Sequence, residues 1–141
     1  MTQKKQKFNA KKIEYNGITF DSTVEKNYYI ELQQKVKNGE IKSFSIQPKY
    51  ILQDKFVKYG KKFREICYSP DFMIINNDDS ITLVDVKGFS TPASELRKKL
   101  FDYKFRDIEL VWLTYVKKHG GWVTVEELKK IRKENKKLLN K

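Results

Sequence analysis

Histidine and cysteine are almost missing from this chain of 141 residues, which has one of each, His119 and Cys67. A single cysteine excludes an internal disulfide and a cysteine-rich zinc site, and its place in the strand-like run Phe63 to Tyr68 suits a small core residue. One histidine leaves too few parts for a His-based metal centre, a His-Asn-His nuclease or a Ser-His-Asp hydrolase. No run of 18 apolar residues exists and the first residues form no apolar signal region. A cytoplasmic protein with no membrane association is therefore expected. Any metal chemistry would have to rest on oxygen ligands.

Positive charge is what the chain has in excess, +12 net, and its location says more than its size. Residues 1–12 hold five lysines and no acid, residues 129–141 hold seven basic residues against Glu134, and 13–128 net only +1. Basic ends on a near-neutral body suit contact with phosphates, where released counterions make affinity salt-sensitive. They equally suit a protein that uses lysine only for solubility, a ribosomal protein or a membrane-surface protein. With 39% hydrophobic residues, one core is expected. The expected division is a basic arm over 1–12, a core over 13–118 and a basic amphipathic C-terminal helix over 119–141.

The pair Pro70-Asp71, followed fourteen residues after Asp71 by Asp85-Val86-Lys87, carries the most chemistry. Ile81 to Lys87 reads as a buried strand bounded by the turn 76–80 and by Gly88. Strand side chains repeat every two residues, so Asp85 and Lys87 share a face while Val84 and Val86 pack behind. The turn 76–80 would join Asp71 to Ile75 with this strand as a hairpin, so the two acids can converge. Hydrolysis of a phosphodiester needs hydroxide delivered to an anion and charge on phosphorus stabilised, which a divalent cation held by one or two carboxylates supplies. Lys87 beside it would orient the attacking water and offset charge. Against this stand a turn role for Asp71 after proline and simple charge pairing of Lys87 with Asp85.

A third acid lies in Ser22-Thr-Val-Glu25, which opens a helix running to about Asn38 before Gly39 stops it. Glu25 falls near the middle of an apolar face made of Val24, Tyr28, Tyr29, Leu32 and Val36. It can complete a capping box, point inward as a metal ligand, or do both. Further along, Asn16-Gly17 marks a hairpin over 12–20. Extended pieces surround Pro48, and 54–62 reads as a loop where Lys58 and Lys61 interleave with Phe56 and Tyr59, before a strand over 63–68. Thr91-Pro92 opens a helix with an expected buried stripe of Ala93, Leu96, Leu100 and Tyr103. Arg97, Lys99 and Lys104 flank that stripe as candidate phosphate contacts. Ile108 to Thr114 reads as a buried strand, Gly120-Gly121 as a break, and Thr124 as the cap of a last helix with the stripe Val125, Leu128, Ile131 and Leu138.

The ordered series Phe20-x-Ser-x-x-Glu25-x-x-Tyr28, Gln47-Pro48, Tyr68-x-x-Asp71-Phe72 and Asp85-Val-Lys-Gly88, then Thr91 and a Lys-rich helix ending Leu100-Phe101, resembles a phage and prophage family. That family has long been described as a domain of unknown function and is placed in the PD-(D/E)XK nuclease superfamily. The resemblance spans roughly residues 8 to 115. It implies an α/β fold with a restriction-endonuclease-like α-β-β-β-α-β core, a mixed central sheet flanked by helices, and a C-terminal helix beyond. It further implies a Mg²⁺ or Mn²⁺ site at Glu25, Asp71 and Asp85, with Lys87 as the fourth catalytic residue and Gln47 in support. The implied activity is a metal-dependent DNA endonuclease in phage recombination, repair or replication, with branched DNA of the Holliday-junction type as one substrate. DNA is then the expected partner, with a homodimer and phage replication or recombination proteins as further partners and the host bacterial cytoplasm as location. The competing expectation is a noncatalytic DNA-binding accessory protein on the same fold.

Overall fold

The computed structural model describes residues 12–87 and 90–140. The basic arm predicted over 1–12 lies, apart from Lys12, outside the described residues, as does Gly88. Two compact units result, one ending at Glu40 and the other beginning at Ile41.

The first unit opens with β1 (Ile13–Tyr15) and β2 (Ile18–Phe20), paired antiparallel around Asn16 and Gly17, whose φ values of 54° and 76° give the two left-handed residues a tight hairpin demands. The predicted helix follows as α1 (Thr23–Lys37), with the Ser22 hydroxyl accepting from the Glu25 amide at 3.1 Å and Gly39 at φ 75° beyond its end. Tyr28, Tyr29 and Leu32 are buried together with Glu25, while Val24 and Val36 are exposed, so the apolar face is narrower than expected. Val24 lies about 90° round from the centre of the buried stripe, and Val36 a turn past its last member. The ring of Tyr29 packs on Phe20 with centroids 5.2 Å apart, which ties helix to hairpin.

The second unit is built on one long antiparallel ribbon. Its outgoing arm is β3 (Ser43–Ile46), β4 (Tyr50–Gln53) and β5 (Phe56–Lys58), and its return arm is β6 (Lys61–Phe63), β7 (Ile66–Tyr68) and β8 (Phe72–Ile75). Ile46 faces Phe72 and Tyr50 faces Tyr68, so the register carries unchanged across the gap between the first two pairings. A bulge between Ile51 and Gln53 then shifts it before Phe56 meets Phe63 and Lys58 meets Lys61. Residues 54–62, expected as a loop, thus contain a hairpin that turns on Tyr59 and Gly60 at φ 50° and 73°, and the strand expected over 63–68 is divided between β6 and β7. A tyrosine in the left-handed position conceals this turn from sequence reading, because Asn-Gly or Asp-Gly is the usual signal.

Residues 76–80 return the chain from β8 into β9 (Ile81–Val86) as the predicted hairpin, with Phe72 opposite Val84. Then α2 (Pro92–Lys104) crosses over to β10 (Glu109–Val116), which runs parallel to β9, as a strand–helix–strand connection allows. A 3₁₀ turn over Lys117–His119 and Gly120 at φ 87° lead into β11 (Gly121–Thr124), antiparallel to β10, and Thr124 caps α3 (Val125–Leu139). The helix thus follows the Thr124 cap as expected, while the segment assigned to it from 119 also contains β11. The sheet order is β11-β10-β9-β8-β3, which gives a mixed α/β fold with a mixed sheet and three α-helices among the described residues.

One face of this sheet joins Leu83 and Leu110 to Tyr68 and to Phe101 of α2, with Tyr50 and Phe105 packed alongside. Helix α2 is therefore rotated from its expected orientation. Phe101 is wholly buried, whereas Leu96, Leu100 and Tyr103 are exposed. A stripe through Ser94, Lys98, Phe101 and Phe105 fits the helical period as well as the expected one, and the aromatic cluster buries more surface than leucines could.

Candidate functional site

The carboxyl end of β9 brings three of the singled-out residues together. Asp85 is buried, and Lys87 on the same face places its Nζ 3.2 Å from Asp85 Oδ2. Asp71, just before β8, accepts a hydrogen bond on Oδ2 from the Val86 amide at 2.8 Å. Its carboxylate is thereby fixed on the peptide that lies between Asp85 and Lys87, as the hairpin and the two-residue strand period require. Gln47 holds the other side of Asp71, its amide donating to the Asp71 carbonyl at 2.9 Å from a left-handed backbone at φ 48°. Such a backbone in a non-glycine residue costs of order 1–3 kcal/mol. The support expected from Gln47 is therefore a main-chain contact, while its side chain is exposed.

Two residues to which sequence reading assigned no role complete the arrangement, Tyr68, known only from the ordered series, and Trp112. The Tyr68 hydroxyl donates to Asp85 Oδ2 at 2.5 Å, and the Trp112 Nε1–H donates to the same hydroxyl oxygen at 3.0 Å. Burial, the Asp85 charge, the Asp85 hydrogen bond and the Asp71 charge all raise the Tyr68 pKa against the lowering effect of Trp112, so the phenol stays a proton donor. Trp112 stands beside Asp85 on the neighbouring strand, and the Lys87 Nζ lies 5.0 Å from its ring centroid. Lys98 of α2 sits 5.8 Å from the same centroid while bridging to Asp102 at 2.8 Å. The helical spacing of three and then four residues from Lys98 to Phe101 and Phe105 was the signal for this, had the helix been placed on its aromatic side.

Glu25 is buried in the first unit, on the first turn of α1. Arg97 and Lys99 are exposed on α2, and Lys99 lines a groove of about 1010 Å³ together with Lys98, Lys129 and Lys130. Lys104 differs from its expected role as a phosphate clamp: its ammonium donates to the Ile51 carbonyl at 2.7 Å and so fastens α2 to the ribbon. Lys58 and Lys61 lie at the ribbon's far end. A second cleft of about 370 Å³ opens on Lys87 and Trp112 and receives Lys129 and Arg132 from α3. Among the described residues no group of three or more His, Cys, Asp or Glu side chains is arranged to hold a metal ion. Two carboxylates on adjoining chain segments are still the donor set that Mg²⁺ accepts when waters and substrate fill its shell. Tyr68 and Lys87 both contact Oδ2 of Asp85, which leaves Oδ1 for such an ion.

The pattern of the DUF1064 family, described as a protein of unknown function, matches residues 5–121. The chain belongs to this family. Among curated proteins nothing matches it. The matched residues take in Asp71, Asp85, Lys87, Tyr68 and Trp112, and they end just where β11 begins.

In this DUF1064 chain, Tyr68→Phe is expected to destabilise by about 1–3 kcal/mol, because Trp112 Nε1–H loses its acceptor and Asp85 loses a donor while both stay buried. Urea unfolding at neutral pH measures this. A loss below a few tenths of a kcal/mol would mean that the Trp112–Tyr68–Asp85 chain of bonds contributes nothing.

Proposed function

We propose that this protein is a divalent-metal-dependent DNA endonuclease acting in recombination, repair or replication, on a restriction-endonuclease-like core. The observation that carries the reading is the position of the Asp71 carboxylate on the Val86 amide, between Asp85 and Lys87. An acid and an ammonium at the end of a largely buried strand are expensive to keep. Asp71 sets a second carboxylate beside them, and one or two carboxylates are what a Mg²⁺ site takes from a protein. The element order α1, β3, β8, β9, α2, β10 also follows the α-β-β-β-α-β series, which supports the core.

Asp71 and Asp85 would hold Mg²⁺ or Mn²⁺; Glu25, the third ligand that the resemblance implies, belongs to the first unit. When bound, the metal polarises the phosphate and lowers the pKa of a coordinated water. Tyr68 fixes the Asp85 carboxylate by its hydrogen bond, and Lys87 keeps its ammonium on the same side of the strand, where it can orient a water and offset charge on the phosphate. Lys129 and Arg132 put two more cations in the cleft that opens on Lys87, suited to a phosphate of the bound strand.

Cleavage should appear when the protein is incubated with linear and branched DNA in Mg²⁺ or Mn²⁺ and vanish in chelator. Binding without cutting on every substrate and with both metals would instead favour the noncatalytic accessory reading.

A further inference from the structure

We propose that the far end of the ribbon, residues 53–64, is a prong that enters the major groove of duplex DNA, which assigns the partner of the Lys58 and Lys61 segment. The proposal rests on the reading of the protein as DNA-directed. Every residue from 53 to 64 is exposed, and Tyr59 at the turn is 96% exposed, so this part of the chain has no share in a core. Residues 53–64 include Lys55, Lys58, Lys61, Lys62 and Arg64 against the single acid Asp54.

The register fixes how those charges are displayed. Phe56, Lys58, Lys61 and Phe63 share one face of the ribbon, and Val57 and Lys62 share the other, with Lys55 and Arg64 flanking the two strands. On the first face Lys58 lies directly opposite Lys61, a like-charge pair that weakens a two-stranded ribbon. The rings of Phe56 and Phe63 stack at 4.6 Å with planes 6° apart, which stiffens the arm where the lysines strain it. Cations on both faces match a ligand with phosphates on both sides. A single strand would meet one face only, whereas a ribbon entering tip first between two phosphate rails meets both. The major groove, about 12 Å wide, admits a two-stranded ribbon, and the minor groove, about 6 Å wide, does not. Tyr59 at the tip then reaches the base edges.

The test measures affinity of the full chain, in chelator, for a short duplex and for a single strand of the same sequence over a range of salt. The triple variant Lys58→Ala, Lys61→Ala, Lys62→Ala should bind duplex at least about tenfold more weakly at low salt, and its salt slope should fall by nearly three, about 0.9 for each phosphate no longer neutralised. The triple Lys→Arg variant should bind like the parent. Tyr59→Ala should weaken duplex binding without changing the slope. Unchanged duplex affinity and slope in the alanine variant, with a parent that binds, would overturn the prong and leave the nuclease reading standing; lysine would then serve only to block edge pairing. A loss confined to the single strand would overturn it too. A parent that binds no DNA would overturn both readings together.

Discussion

Asp85→Asn and Lys87→Ala are each expected to lower the rate of DNA cleavage by about 10³-fold while leaving DNA affinity within a few-fold of the parent. The amide of Asn keeps the shape of Asp85 and can still accept from Tyr68, whose hydroxyl lies 2.5 Å from Oδ2, so the substitution removes charge and little else. Lys87 is mostly buried, 3.2 Å from that carboxylate and over the Trp112 ring, in surroundings where a fixed charge acts more strongly than in water. Loss of groups that act only as charge develops in the transition state lowers the rate without lowering affinity. Lys87→Arg should not restore the rate, since a planar guanidinium cannot take the place of a compact ammonium. Single-turnover cleavage with saturating protein, together with a melting curve for each variant, separates impaired chemistry from impaired folding. If both variants cut at the parent's rate while folded, the site is wrongly assigned.

How much of this site the amino-acid order reveals depends on distance along the chain. Asp85 and Lys87 share a strand, so their proximity follows from the period of two, and Asp71 is brought to them by a short hairpin whose turn is written in Asn76 to Ser80. Ser22, Thr91 and Thr124 likewise announce their helices, because a cap is a local hydrogen bond and all three accept from an amide three residues on. The roles of Tyr68 and Trp112 were not legible. Tyr68 is seventeen residues from Asp85, and Trp112 reaches it only through the parallel pairing of β10 with β9, which no local pattern encodes. Strand β11 was hidden by its glycine start, and the ribbon's turn by a tyrosine where asparagine is usual.

The rotation of α2 is where pattern reading failed most and where stability offers a sharp test. Phe101→Ala is expected to cost about 3–5 kcal/mol and Leu100→Ala less than about 1 kcal/mol, though the apolar stripe expected from the sequence ranks them the other way. Phe101 is wholly buried against Tyr50, Tyr68 and Phe105, with ring centroids 4.8–5.8 Å away, and its truncation opens a cavity that these neighbours cannot close without moving. Leu100 is 40% exposed, so truncation returns little surface to water. Because domain stability is commonly about 5–15 kcal/mol, the phenylalanine variant forfeits a large share of it. The damage should also reach the site, since Phe101 packs on the Tyr68 ring whose hydroxyl holds Asp85. Paired denaturant titrations decide the orientation: equal small losses, or a larger one for Leu100, would place the other face of α2 on the sheet and separate Lys98 from Trp112.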